Sequence, residues 1–314
     1  MPRIDLVVMG ASAGGVEALC AVVKKLPADF GAAVLIVMHI GEGSALPSVL
    51  NRCGTLPCSF VSDHPFLERG RVYIAPAHYH MRVDDGKVVL SLGPKENLRR
   101  PSIDPLFRSA ARFYRERVVG VILTGALDDG SAGLFAIKSR GGITMVQDPD
   151  EAFQPSMPAH AMRHTKVDYR LPIAKIGPQL IKLVGRQKGR DLRLHPPGGK
   201  PRSNADLTEG GTPFPVSCPE CQGPLFTLKE GKEEYFHCRV GHAFSAETLN
   251  EAHDEALERA LWTAIRMLSE KIILHRTMEK DARKNDPQVA RHLRETIDSA
   301  QKEIDLLKEI LQKI

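Results

Sequence analysis

Two groups of residues in this chain have the types and spacing that chemistry requires. The first begins at Gly10-Ala11-Ser12-Ala13-Gly14-Gly15, which follows an apolar run and precedes a helical pattern. Gly-x-Ser-x-Gly between a strand and a helix permits a sharp turn that projects the Ser12 hydroxyl, while backbone N–H groups at the helix start face a developing oxyanion. The same turn suits a dinucleotide phosphate, although that fingerprint needs Gly where Ser12 stands. The turn alone leaves nucleophile and phosphate cradle as equal alternatives.

Two further strand ends break the tie. The run Ala33–Met38 delivers His39, and Val118–Leu123 delivers Asp128 and Asp129 just beyond Thr124-Gly125. Catalytic groups of open α/β sheets gather at the carboxyl ends of strands, so Ser12, His39 and Asp129 are candidates for nucleophile, general base and base-orienting carboxylate. Each also has a purely structural reading: Ser12 and Asp129 as cap or turn residues, His39 as a satisfied strand-end imidazole. The chain order Ser, His, Asp differs from that of α/β-hydrolases, chymotrypsin-like and subtilisin-like enzymes, which implies another fold.

The second group is Cys218-Pro219-Glu220-Cys221 and, sixteen residues on, Cys238-Arg239-Val240-Gly241-His242. Cys218, Cys221, Cys238 and His242 form the ligand set of a closed tetrahedral zinc site, one ion per chain, with His237 as a less favourable substitute for His242. Four protein ligands leave no position for water. The site is therefore expected to be structural, and its removal to unfold the segment while sparing hydrolysis.

The elements that must position these residues read as an α/β fold. Strand-like runs alternate with amphipathic helical segments from residue 5 to about 185, predicting a mostly parallel, doubly wound sheet. Asp85-Gly86 between alternating runs predicts a small antiparallel hairpin. The expected divisions are a catalytic domain at 1–186, a Gly/Pro/Lys/Arg-rich linker at 187–212, a small zinc-binding segment at 213–245 and a helical hairpin or oligomerisation module at 246–314. In the last helix Val289, Leu293, Ile297, Ala300, Ile304, Leu307, Leu311 and Ile314 form an apolar stripe facing Leu257, Leu261, Ile265, Leu268 and Ile272. Asn285-Asp286-Pro287 between the helices favours antiparallel return over a dimer seam, and either arrangement could dock a partner.

Composition narrows the function classes. With 314 residues, 42% hydrophobic and 26% charged, the chain can bury a core without disulfides. A net charge of +5 with scattered basic residues argues against a nucleic-acid face. The absence of a secretory leader or an apolar run near ~20 residues argues for a cytoplasmic protein without membrane insertion. Cys20, Cys53 and Cys58 read as dispersed buried thiols rather than a disulfide framework.

Gly10 to Leu19, Met38-His39, Val72 to Pro76, Arg100-Pro101-Ser102-Ile103-Asp104, Leu106 to Ala110, Leu123 to Gly130 and Met157-Pro158 resemble, in the same order, the CheB-type protein-glutamate methylesterases. The resemblance covers residues 4–185. It implies hydrolysis of glutamate γ-methyl esters on chemoreceptor-like helical proteins, with glutamine deamidation as a second activity, no organic cofactor, and Ser12, His39 and Asp129 as triad. Standalone members carry a similar Cys/His segment. Arg99, Arg100 and Arg108 could attract acidic receptor helices, whereas His78 and His80 read as loop imidazoles outside the triad.

Departures from the family pattern are local. A loop usually written Gly-Met-Gly-x-Asp-Gly is here Gly125-Ala126-Leu127-Asp128-Asp129-Gly130, and the usual Thr after the nucleophile is Ala13. The chain starts at the catalytic domain's first strand, so control by phosphorylation in cis is not expected, and regulation would come through the C-terminal module or a separate partner. Two alternatives stay open at this stage: a catalytically inactive scaffold of the same fold, and a nucleotide-binding oxidoreductase.

Overall fold

The computed structural model describes residues 3–62, 64–186, 193–194, 211–230 and 233–313. The chain divides into two compact units, Met1–Leu249 and Asn250–Ile314. The expected linker at 187–212 falls almost wholly outside the described residues.

In the first unit, strands β1 (Leu6–Ala11), β2 (Ala33–Met38), β3 (Cys58–Phe60) and β4 (Val72–Ile74) alternate with helices α1 (Gly15–Val23) and α2 (Leu46–Cys53). The antiparallel pair β5 (His80–Asp84) and β6 (Lys87–Ser91) is the predicted hairpin, turning at Asp85-Gly86. Then follow α3 (Ile103–Tyr114), β7 (Val118–Ile122), α4 (Ser131–Ser139), β8 (Ile143–Gln147), α5 (Ser156–His164), β9 (Tyr169–Leu171) and α6 (Ile173–Val184).

The main sheet has the order β3-β4-β2-β1-β7-β8-β9, and every pairing in it is parallel. Its strands are near-continuous apolar runs because both faces are covered. Alternate side chains of β1 separate accordingly: Leu6 and Val8 pack with α3, α4 and α5, while Val7, Met9 and Ala11 pack with α1, α2 and α6. The fold is the doubly wound α/β sheet that the alternating pattern predicts.

Cys20 on α1 and Cys53 on α2 form a disulfide with Cα atoms 5.5 Å apart, which corrects the reading of both as free thiols. The two helices lie against the same sheet face, so residues 33 apart in sequence come within bridging reach. Cys58 remains a free buried thiol, its pKa pushed up to about 11 by burial.

A second sheet completes the unit. Strands β10 (Thr212–Ser217), β11 (Pro224–Glu230), β12 (Glu233–Cys238) and β13 (Ala243–Phe244) pair antiparallel in that order, and β13 leads into α7 (Ala246–Asn285).

The second unit is a helical hairpin of α7 from Asn250 onward and α8 (Pro287–Leu311). Ile265 and Ile272 pack against Ile297, Ala300 and Ile304, so the apolar stripes pair within the chain. Leu257 and Val289, expected in those stripes, are instead exposed. Glu279 accepts from Arg283 and Arg294, joining the two helices near the turn. No helix among the described residues is long and apolar enough to cross a membrane.

Asp286 caps α8 as the sequence predicts, its Oδ1 accepting from the N–H groups of Gln288 and Val289 at 3.1 and 3.2 Å. Asp286→Ala should destabilise the hairpin by about 1 kcal/mol and raise amide exchange at Gln288 and Val289. Unchanged exchange at both amides would show that the cap contributes nothing.

Candidate active site

β1 lies at the centre of the sheet with β2 on one side and β7 on the other, so three adjacent strands release the chain at one edge. This is the switch point of an open α/β sheet, where ligands bind beyond the carboxyl ends of the strands. Ser12 follows β1, His39 follows β2, and the loop after β7 carries Asp128 and Asp129.

The turn at Ser12 depends on small residues. Gly14 has φ +73°, a left-handed conformation that a side chain disfavours, and a Cβ there would lie 2.8 Å from Phe153 Cβ. At Gly125 a Cβ would lie 2.9 Å from Ser12 Cβ and 2.0 Å from Met157 Sδ. Glycine at 125 lets the β7 loop approach the serine closely.

The structure brings Ser12, His39 and Asp129 into one hydrogen-bonded series. His39 Nδ1 lies 3.1 Å from Ser12 Oγ, and His39 Nε2 lies 2.9 Å from Asp129 Oδ2. With the proton on Nε2, the imidazole donates to Asp129 and offers Nδ1 as acceptor for the serine proton. Asp129 is the one of the adjacent carboxylates bonded to His39. Asp128 lies with His160 and Glu247.

Asp129 is almost fully buried yet richly solvated by protein. Besides His39, it accepts from the N–H groups of Ile103 (2.7 Å) and Asp104 (3.2 Å), from Ser102 Oγ (2.8 Å) and from Asn97 Nδ2 (3.0 Å). Burial pushes its pKa up, but hydrogen bonds and charge from His39, with the bonds from Ile103 and Asn97, carry it below the usual carboxylate range. Asp104 is pushed the other way, well above that range, by burial and then by the charge of Asp129. Asp104 accepts from Gly133 N–H at 2.7 Å and from Asn97 Nδ2 at 2.8 Å. Two neighbouring carboxyl groups with opposed shifts share one site, and Asp129 carries the charge.

Asn97 and the supporting groups of residues 102–104 were not assigned roles by sequence reasoning. The motif Arg100-Pro101-Ser102-Ile103-Asp104 was visible only as part of a resemblance. Its purpose becomes clear once the N-terminus of α3 is seen to donate into Asp129.

A cleft of about 790 Å³ opens over Ser12 and His39, with Lys95, Arg99 and Arg100 among its lining residues. Arg100 is tied to the carbonyls of Leu92 and Gly93, and Arg108 is ion-paired with Glu96. His78, at the same cleft, pairs with Glu42 at 2.9 Å, whereas His80 is buried between Pro94 O and Ser102 N.

The Cys/His residues also converge. One donor atom each from Cys218, Cys221, Cys238 and His242 lies within 4.8 Å of the others. Cys221 Sγ to Cys238 Sγ is 3.5 Å, and His242 Nδ1 is 3.8 and 3.5 Å from the sulfurs of Cys218 and Cys238. Tetrahedral Zn–S bonds of ~2.3 Å require ligand atoms roughly 3.5–3.8 Å apart, so the set fits a metal ion of that geometry. His237 lies outside this cluster, stacked near Phe226.

The family model described as CheB methylesterase matches residues 7–180. A protein of Leptospira interrogans whose provisional name is protein-glutamate methylesterase/protein-glutamine glutaminase is 38% identical over 57% of this chain and 94% of its own length. A protein of the same activity name from Anaeromyxobacter dehalogenans is 40% identical over 58% of this chain, which spans 54% of that relative. The crystal structure of the Thermotoga maritima CheB methylesterase catalytic domain aligns with a TM-score of 0.56 and 33% identity, covering 58% of this chain and all of that one.

The departure at Leu127 has a measurable cost. Leu127 sits at φ +62°, where a Cβ costs ~1–2 kcal/mol relative to glycine. Leu127→Gly relieves that strain but adds freedom to the unfolded chain, so stability should stay level or rise by up to about 1 kcal/mol. Denaturant unfolding checks this, and a clear loss would mean that the leucine side chain itself holds the loop.

Proposed function

The chain belongs to the CheB methylesterase family, and from that premise we propose that it hydrolyses glutamate γ-methyl esters on chemoreceptor-like helical proteins through Ser12, His39 and Asp129. The observation that carries the assignment is the bonded series Ser12 Oγ, His39 Nδ1, His39 Nε2, Asp129 Oδ2 at the switch point. The phosphate-cradle alternative gains no support, since the hydroxyl at the position where its fingerprint needs glycine is engaged with an imidazole.

Ser12 Oγ attacks the ester carbonyl while His39 Nδ1 accepts its proton. The Nε2–H stays bonded to Asp129, whose negative charge stabilises the imidazolium that forms. The developing oxyanion calls for backbone N–H donors from the turn that follows Ser12. The imidazolium then gives its proton to the departing methoxide, which leaves as methanol. Water, deprotonated by His39, cleaves the acyl-serine to release the glutamate carboxylate. An amide in place of the ester would release ammonia by the same steps, consistent with the glutaminase half of the relatives' names. Lys95, Arg99 and Arg100 at the cleft suit an acidic helical substrate.

Cys218, Cys221, Cys238 and His242 are proposed to hold one structural zinc per chain. When bound, the ion crosslinks the two knuckles and stabilises the small sheet, and it takes no step in hydrolysis. The working divisions are catalysis at 1–186, the zinc segment at 213–245 and the helical module at 246–314.

Methanol release from a methylated receptor helix tests the main reading. Ser12→Ala should lower kcat by on the order of 10⁶-fold without unfolding the protein. His39→Ala should be comparably severe, and Asp129→Asn should cost ~10⁴-fold through loss of the correct tautomer. Near-parental turnover by the serine variant would remove the nucleophile assignment.

For the metal, elemental analysis of reduced protein should find zinc near one equivalent, and Cys221→Ser should lower metal content and protection of the β11–β12 amides together. A parental zinc content in Cys221→Ser would discard this ligand set.

A further inference from the structure

The family match ends at residue 180, yet a later part of the chain bonds to a residue that donates to the carboxylate behind His39. The link is Asn97, 4% exposed, in the loop between β6 and α3. Its Nδ2 donates to Asp129 Oδ1 at 3.0 Å and to Asp104 Oδ2 at 2.8 Å. Its Oδ1 accepts from Ser245 N–H at 3.3 Å and from Thr248 Oγ1 at 3.4 Å. An asparagine side chain has one donating and one accepting end, so these neighbours allow a single orientation. Carboxylate oxygens face the nitrogen, and donors from the C-terminal segment face the oxygen.

The segment supplying those donors is itself fixed. Asn97 N–H donates to Ala243 O at 2.9 Å, and Ala243 N–H donates to Lys95 O at 3.3 Å, stitching β13 to the loop that carries Asn97. Ser245 and Thr248 cap the start of α7 reciprocally: Ser245 N–H donates to Thr248 Oγ1 at 2.9 Å, and Thr248 N–H donates to Ser245 Oγ at 3.1 Å. All of these residues belong to the Met1–Leu249 unit, and Asn97, Ser245 and Thr248 are buried.

We propose that Asn97 is a positioning residue for hydrolysis, and that Ser245 and Thr248, beyond the methylesterase domain, hold its amide so that it supports the charge of Asp129. The proposal rests on the triad reading. Removing the Thr248 hydroxyl weakens the hold on Oδ1, lets the amide turn, and costs Asp129 a donor. Removing Asn97 deletes that donor outright. Neither residue lines the cleft over Ser12, so the loss should fall on kcat and spare KM.

The test is a double-mutant cycle on the full chain with p-nitrophenyl acetate as ester. Asn97→Ala should lower kcat by about 10- to 100-fold with KM unchanged, the loss of one hydrogen bond to a buried charge. Thr248→Val should lower kcat by a smaller factor, and Thr248→Ser, which keeps the hydroxyl, should restore it. Because Thr248 acts through Asn97, Thr248→Val should cost nothing further in the Asn97→Ala background. Losses that multiply in the double variant, or a Thr248→Val protein with parental kcat, would overturn the proposal. Should Asn97→Ala fail to fold, the contrast between Val and Ser at 248 decides alone: equal kcat for the two rejects it. Ser12→Ala run alongside separates the two levels, since hydrolysis that survives in it refutes the triad and not the link.

Discussion

A negative charge kept in the interior is the constraint from which the rest of the site follows. Asp129 is 2% exposed, and an unpaired carboxylate in such a place would take up a proton rather than remain charged. Five donors from three parts of the chain prevent this: His39 after β2, Asn97 before α3, and the hydroxyl and two N–H groups of residues 102–104. Ile103 and Asp104 open α3, so their N–H groups have no partner within the helix and its dipole points its positive end at the carboxylate. Asp104 then cannot also ionise easily, and its shift upward is the counterpart of the shift downward at Asp129.

The sheet order explains how the proposed triad of Ser12, His39 and Asp129 comes in a chain order unlike those of α/β-hydrolases, chymotrypsin-like and subtilisin-like enzymes. β2, β1 and β7 are neighbours, and all run in the same direction. The residues just past their ends therefore converge without long excursions, which is why Ser12 and His39 can come from consecutive strands. The third strand arrives only after the β5–β6 hairpin and α3, and α3 brings the helix start that stabilises Asp129. Glycine at 125 lets the β7 loop close on Ser12, and left-handed backbone at Gly14 lets the turn pass close to Phe153.

Much of this was legible in the sequence because it depends on local pattern. Apolar runs gave the parallel strands, Asp85-Gly86 the hairpin, and Asp286-Pro287 the start of α8. Ser12, His39 and Asp129 could be picked out because each stands just past a strand end, a position that the pattern marks. Asn97 had no such mark. It lies in an irregular loop, and its importance comes from contacts 32 residues away to Asp129 and 148 and 151 residues away to Ser245 and Thr248. The Cys20–Cys53 disulfide was missed for a related reason, since α1 and α2 become neighbours only when both cover the same sheet face. Val289 is exposed because the buried stripe of α8 runs through Ala290, Leu293, Ile297, Ala300 and Ile304, one position off the spacing read from the sequence at that end.

The Cys/His segment was expected to be energetically separate from hydrolysis because four protein ligands leave a metal nothing to do chemically. Separation of chemistry is not separation of structure. His242 is followed at once by Ala243, whose carbonyl accepts from Asn97, and then by Ser245, whose N–H reaches the Asn97 side chain. A folded knuckle therefore ends one hydrogen bond away from the residue that supports Asp129. Small segments of this type fold with their metal. The proposed ion at Cys218, Cys221, Cys238 and His242 would order this segment without touching any reacting atom. Residues 102–104 donate to the buried charge directly, whereas the C-terminal segment acts one step removed, by donating to the Asn97 amide that in turn donates to Asp129.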